Sequence, residues 1–274
     1  EVIAEVHDAL AEGIRQAGSN ARLIAWDWGW QDDWALELIS KLPETATLMS
    51  VSEWNVPILR GGIACSVGEY SISAVGPGPR ALRHWEWARE RNLPAFAKIQ
   101  ANTTWELGAL PYIPATANVA RHVAALREAG VSGLMLGWTL GGCPSPNLEV
   151  VQELGKRNAA GAFPTVEEAM HCVAVQRFGA AAADVVVESW KIMSDAFSEF
   201  PYGGGVVYNA PLQAGPANPL WRKPTGYRAT MVGIPYDDLE AWRGQYPPEI
   251  FIGQLRKAAD GFKAGSAMLQ NEVG

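Results

Sequence analysis

The sequence predicts an α/β fold of the (β/α)8 TIM-barrel type, in the form of an incomplete barrel of four or five C-terminal βα units with extra C-terminal helices. Three observations lead there. Short apolar runs begin near residues 22, 47, 95 and 133; segments with helical periodicity separate them; and the runs recur at about the spacing of successive βα units. A closed barrel needs about eight strands, and the chain supplies half that number or slightly more.

The elements follow in order. Residues 1–17 place Ile3, Val6, Leu10, Ile14 and Ala17 on one helical face, and Gly18 ends the helix. No capping residue precedes it, so the chain is expected to begin inside an element. Residues 22–26 form a strand, 34–41 a helix and 47–51 a second strand. Residues 69–75 alternate in polarity and read either as a further barrel strand or as the return arm of a hairpin begun near Val56. Then come a helix over 79–91, a strand over 95–100, a helix over 115–129 closed by Gly130, and a strand over 133–139. Beyond Asn147, a short helix and helices over 165–178 and 182–200 form an outer layer. Residues 202–248 are rich in Gly and Pro but also in aromatics, and an amphipathic helix over 248–269 closes the chain. The expected organisation is a partial barrel over 1–146, a helical outer layer over 147–201, and an aromatic-rich strap with the C-terminal helix over 202–274 of the same domain.

Composition excludes several classes of function. Lys and Arg number 22 against 29 Asp and Glu, a net charge of −7, and no basic run interleaves with aromatics, so nucleic acid is not expected as a partner. No stretch approaches the ~20 apolar residues of a membrane helix, and the N-terminus lacks the order of a signal peptide, so the chain reads as soluble without a membrane partner. Cys65, Cys143 and Cys172 are far apart and odd in number, which supports neither a disulfide framework nor a zinc knuckle. His7, His84, His122 and His171 fall on separate predicted helices, so neither a metal site nor a cofactor is expected. No phosphate loop or nucleophile elbow occurs. The unusual quantity is 12 Trp against seven Tyr and seven Phe. Indole faces stack on sugar rings, although core packing uses the same side chains.

Position separates these uses of tryptophan, because barrel chemistry sits at the C-terminal ends of the strands. The first strand ends in Trp26, Asp27, Trp28, Gly29 and Trp30, and the second in Ser52, Glu53, Trp54 and Asn55. The next ends in Gln100, Ala101 and Asn102, with Trp105 and Glu106 just beyond; the last ends in Trp138 and Thr139. Carboxylates beside indoles are what glycoside hydrolysis requires, with acid/base or nucleophilic groups at an oxocarbenium-like centre and an aromatic floor for the sugar. Asp27, Glu53 and Glu106 are therefore the candidate catalytic residues. Trp26, Trp28, Trp54, Asn102, Trp105, Trp138 and Asn147 are the candidate substrate-binding residues. Asp27, Glu53, Asn102 and Trp138 are expected on one concave surface. Each carboxylate also has a structural alternative: Asp27 as a helix cap or indole partner, Glu53 as a binder of loop backbone, Glu106 as a solvated charge.

From the Arg22-Leu23-Ile24-Ala25-Trp26-Asp27 strand onward, the sequence resembles the family 20 glycoside hydrolases of the β-N-acetylhexosaminidase type. The likeness rests on that strand end, on Pro43 and the strand ending Val51 to Trp54, and on the late Met135-Leu136-Gly137-Trp138 strand, and it covers roughly residues 1–140. It implies hydrolysis of amino-sugar or related glycosides, with Trp138 closing the sugar pocket. Two departures are present: Trp28 stands where that family usually has Glu, and the adjacent Asp-Glu pair of an earlier strand is absent, which leaves this stretch without the general acid. The second expectation is a noncatalytic carbohydrate-binding or scaffolding barrel, and the third a barrel of unrelated chemistry with tryptophans in its core. A carbohydrate ligand is the expected partner, and self-association or an N-terminal portion is expected to cover the open sheet edge. Residues 202–248 are expected to lie across the strand-end face as an ordered strap, using Tyr208, Trp221, Tyr227, Tyr236 and Trp242 with Asn209, Gln213, Asn218, Arg222 and Arg228.

Overall fold

The four apolar runs form one parallel sheet. In the computed structural model, which describes residues 1–138, 142–210, 212, 223–231 and 237–273, α1 (Val2–Gln16) leads to β1 (Leu23–Trp26), and α2 (Asp32–Lys41) to β2 (Ala46–Val51). A two-stranded excursion, β3 (Pro57–Arg60) and β4 (Ile63–Ser66), precedes α3 (Pro79–Glu90) and β5 (Ala95–Lys98). α4 (Thr116–Glu128) then leads to β6 (Gly133–Met135). The sheet order is β1-β2-β5-β6, so each strand lies beside the next one of the sheet in sequence, with a helix in every crossover. The molecule is thus a mixed α/β fold on an open four-stranded parallel sheet, with β1 and β6 at its edges.

Local chemistry explains where the helices begin. Pro79 occupies the first turn of α3, where its missing N–H costs nothing. The Ser145 hydroxyl accepts from the Leu148 amide to start α5 (Pro146–Leu154). At α6 (Val166–Phe178), Thr165 and Glu168 form a reciprocal capping box. α7 (Ala183–Phe197), α8 (Gly204–Asn209), α9 (Leu239–Trp242) and α10 (Pro248–Val273) complete the chain. One core joins Ala25, Leu48, Ala95 and Ala97 of the sheet to residues of α2 through α7, among them Ile39, Trp85, Leu126, Leu154, Val173 and Trp190. A second core at the strand ends gathers Ile58, Val67, Ile113, Phe197, Tyr202, Val206, Tyr246 and Phe251.

Residues 69–75 are a correction to the sequence reading. The hairpin that begins at Val56 returns through Ile63–Ser66, paired antiparallel with Pro57–Arg60, and 69–75 is neither its arm nor a barrel strand. The amides of Ile72 and Ser73 and the hydroxyls of Ser71 and Ser73 instead donate to the Glu106 carboxylate. The amides of Ile72, Ser73 and Ala74 are thus taken by side chains and are not free for a ladder.

Candidate functional site

Strand alternation sorts the side chains before any chemistry is considered. Leu23, Ala25, Ala46, Leu48, Ala95 and Ala97 pack into the helix-side core. The intervening positions, Ile24, Trp26, Thr47, Met49, Phe96 and Lys98, therefore occupy the opposite, inner face. Along it, Trp26, Met49, Phe96 and Gly133 stand in register, followed by Val51, Lys98 and Met135. Gly133 is required there: a Cβ at that position would lie 2.4 Å from the Phe96 ring.

At the C-terminal end of this face the indoles gather. Trp26 and Trp138 have ring centroids 5.0 Å apart and Trp26 and Trp28 6.2 Å. Trp28 and Trp138 remain 51% and 47% exposed, an unusual degree for large apolar rings that already have aromatic neighbours. Trp28 Nε1 donates to Glu69 Oε2 at 2.7 Å, and the Tyr208 hydroxyl donates to Glu69 Oε1 at 2.9 Å. The Tyr202 hydroxyl donates to the Glu69 carbonyl at 2.6 Å and accepts from the Gly68 and Glu69 amides, fixing that loop. Tyr70, held at φ 61°, stacks on Trp105 at 4.9 Å with planes 8° apart. Tyr208 meets the edge of this stack, 5.2 Å from Trp105.

Beneath the aromatics lies Lys98, fully buried, with its ammonium 4.2 Å from the Tyr70 ring centroid. Gln100 turns its amide oxygen to that ammonium at 3.0 Å and its nitrogen to the Thr103 carbonyl at 3.3 Å, the orientation that satisfies both ends. Burial lowers the Lys98 pKa, and the nearby Glu53 and Glu69 carboxylates oppose that fall. The same carboxylates add to burial in raising the Tyr70 hydroxyl to about 12. Burial, then Glu69, raises Tyr208 further.

Glu53 is also fully buried. Its Oε2 accepts from the Ser52 hydroxyl at 2.9 Å, and Ser52 Oγ lies 2.9 Å from His122 Nε2. Ser52 has one hydrogen, so once that hydrogen goes to Glu53 a neutral His122 must carry its own proton on Nε2. Burial depresses the His122 pKa to about 4 and keeps the ring neutral. Among the described residues Glu53 Oε1 and Trp26 Nε1 are buried without hydrogen-bond partners.

The other expected site residues are directed elsewhere. Asp27 follows Trp26 and so points the opposite way, toward α3: its Oδ2 lies 2.7 Å from His84 Nδ1 and 3.3 Å from the Arg80 guanidinium. Trp54 lies under that guanidinium, 4.7 Å from it, and belongs to the same buried anchor. Glu106 is saturated by the 69–75 loop and by Thr104, and its pKa is raised by burial against the opposing hydrogen bonds of Ser73, Ile72 and Ser71. Far from being solvated, it binds loop backbone, the role anticipated for Glu53. Asn102 pairs with the Cys143 carbonyl and the Ser145 hydroxyl, which ties down the loop before α5. Asn147, fully buried, binds Thr116 and the carbonyls of Ala101 and Ile113. The expected convergence of Asp27, Glu53, Asn102 and Trp138 is thus replaced by that of Trp26, Trp28, Trp138, Glu69, Lys98 and Glu53.

Glu69, Tyr70 and Lys98 escaped sequence reasoning. Lys98 carried a usable signal, a lone cation inside an otherwise apolar strand. Of the expected strap, Tyr202 and Tyr208 do reach the strand-end loop, whereas Tyr227 is exposed. Trp221, Tyr236, Gln213, Asn218 and Arg222 lie outside the described residues. Among the described residues no cluster of His, Cys, Asp and Glu could hold a metal, and no single helix is long and apolar enough to cross a membrane. In comparisons with known proteins, the chain matches no family model, no curated protein and no solved structure.

Proposed function

We propose that this chain is a carbohydrate-binding α/β domain of the glycoside hydrolase type, acting on amino-sugar or related glycosides and forming four consecutive units of a (β/α)8 barrel. The observation that carries the reading is the pair of half-exposed indoles, Trp28 and Trp138, flanking Trp26 at the strand ends with the Glu69 carboxylate bonded to one of them. Such an arrangement offers a sugar both a stacking face and a hydroxyl acceptor. The sequential strand order supports the barrel, because neighbouring strands of a barrel are also neighbours in sequence. The resemblance to family 20 enzymes supports the sugar class.

A second reading, binding without hydrolysis, is favoured by the state of Asp27 and Glu106, whose carboxylates are buried in internal bonds. Hydrolysis by this chain therefore falls to Glu53 and Glu69. Titration with N-acetylglucosamine oligomers should shift the tryptophan fluorescence of the protein, and Trp138→Ala should weaken binding at least about tenfold, the range for loss of an aromatic anchor. A wild-type spectrum unmoved by any sugar sinks the carbohydrate reading. Release of nitrophenol from aryl glycosides, lost in Glu53→Gln or Glu69→Gln, separates an enzyme from a binding domain.

A further inference from the structure

The site contains more negative than positive charge, and the arrangement of that charge bears on which sugars it accepts. Resting on the carbohydrate reading above, we propose that Glu69 sets a charge preference, selecting neutral sugars and amino sugars over sugars that carry a carboxylate.

Glu69 is 9% exposed, and each of its oxygens receives one hydrogen bond, from Trp28 Nε1 and from the Tyr208 hydroxyl. An ionised carboxylate can accept about four. Each oxygen thus retains capacity for a ligand hydroxyl or ammonium. A ring stacked on the exposed Trp28 face places its substituents beside the indole edge from which Nε1 reaches Glu69.

Among the described residues three charges meet here: Glu69, Glu53 and the ammonium of Lys98. Nearby guanidinium groups do not neutralise the excess. Arg80 is held by Asp32 and by the Asp27 and Trp30 carbonyls on the α3 side, and Arg60 donates to the Ser73 carbonyl. Among the described residues a sugar carboxylate would meet one negative charge in excess, and the burial of Glu53 and Glu69 leaves that charge weakly screened. A hydroxyl or ammonium meets the opposite situation. Among the described residues Glu53 Oε1 is a fully buried carboxylate oxygen without a hydrogen-bond partner, a costly state that a donor from a ligand would relieve.

The test compares three trisaccharides by calorimetry: a β-1,4 N-acetylglucosamine trimer, the corresponding glucosamine trimer, and a galacturonic acid trimer. The wild-type protein should bind the first two at least about tenfold more tightly than the third, as like-charge juxtaposition requires. Glu69→Gln, which keeps the shape and removes the charge, should reduce that ratio to about threefold or less, and Glu69→Asp should retain it. An unchanged ratio in Glu69→Gln overturns the proposal while leaving sugar binding intact. Binding of none of the three by wild type overturns the carbohydrate reading and this proposal with it. Should near-UV circular dichroism show that Glu69→Gln does not fold, Lys98→Met decides. Loss of the ammonium must widen the preference at least about tenfold, and a ratio that stays put overturns the assignment.

Discussion

Single residues show how burial assigns roles that residue type alone leaves open. His122 is a case in which the assignment reaches the candidate site, because its ring, through Ser52, braces the carboxylate of Glu53. Its pKa is depressed from 6.5 to about 4 by burial, so the unfolded chain binds this proton more readily than the folded one. The stability linked to His122 is therefore fully present above pH 6.5 and is lost as pH falls toward 4. Across that window the loss is on the order of 3 kcal/mol. Urea denaturation of wild type and His122→Gln at pH 7, 5.5 and 4 checks this: the stability difference between them should shift by that amount in favour of the variant on acidification. A difference independent of pH would mean that the buried ring takes up its proton as readily in the folded chain as in the unfolded one. Asp27 and Glu106 teach the related point that a carboxylate at a strand end is as easily a brace as a reagent. Both were legible as strand-end residues. What they bind was not, since His84, Arg80, Ser71 and Ser73 lie 57, 53, 35 and 33 positions away and meet them only in the folded chain.

At the scale of elements, α10 and α7 show why two glycines in one helix need not be equivalent. Gly261 faces α7 so closely that a Cβ would lie 2.2 Å from that of Ala196, whereas a Cβ on Gly253 would meet nothing within 4 Å. The contact continues at Gly265, whose carbonyl accepts from the buried Ser189 hydroxyl. Gly253→Ala should stabilise the protein by about 0.5–1 kcal/mol through helix propensity. Gly261→Ala gains the same propensity but must separate the helices, and should destabilise by about 1–2 kcal/mol net. Opposite shifts in thermal midpoint are the expected result, and shifts of the same sign would contradict the packing. Elements of this kind were read from sequence wherever periodicity was strong, as in α3, α4, α6 and the four parallel strands. The reading of 69–75 failed because its alternating Ser71 and Ser73 imitate a half-buried strand while serving Glu106. Glu69 and Tyr70, in the same segment, stayed hidden because a run read as a strand does not announce which way the side chains of a loop turn.

For the molecule as a whole, the open sheet is the feature with the largest energetic consequence. Among the described residues β1 pairs only with β2 and β6 only with β5, so each edge strand has one side without a ladder. Ile24 on β1 is 42% exposed, and beside that edge α1 leaves Ile3, Val6 and Leu10 uncovered, the apolar face that its periodicity announced. Edges and faces of this kind invite pairing with another chain. They are also the places where a structure opens first, because few buried contacts resist local unfolding. β2, by contrast, is buried along its entire length and bonded on both sides. Hydrogen exchange followed by mass spectrometry should therefore rank the strands: in dilute protein, amides of β1 and β6 should exchange at least about tenfold faster than those of β2 and β5, a gap of roughly 1.4 kcal/mol or more in opening free energy. As concentration rises, protection at β1 and along α1 should increase while β2 and β5 stay constant, because association covers the edge without altering the centre. Equal protection of edge and centre in the most dilute sample would show that the edges are closed within a single chain, and would remove the physical reason for expecting a partner there.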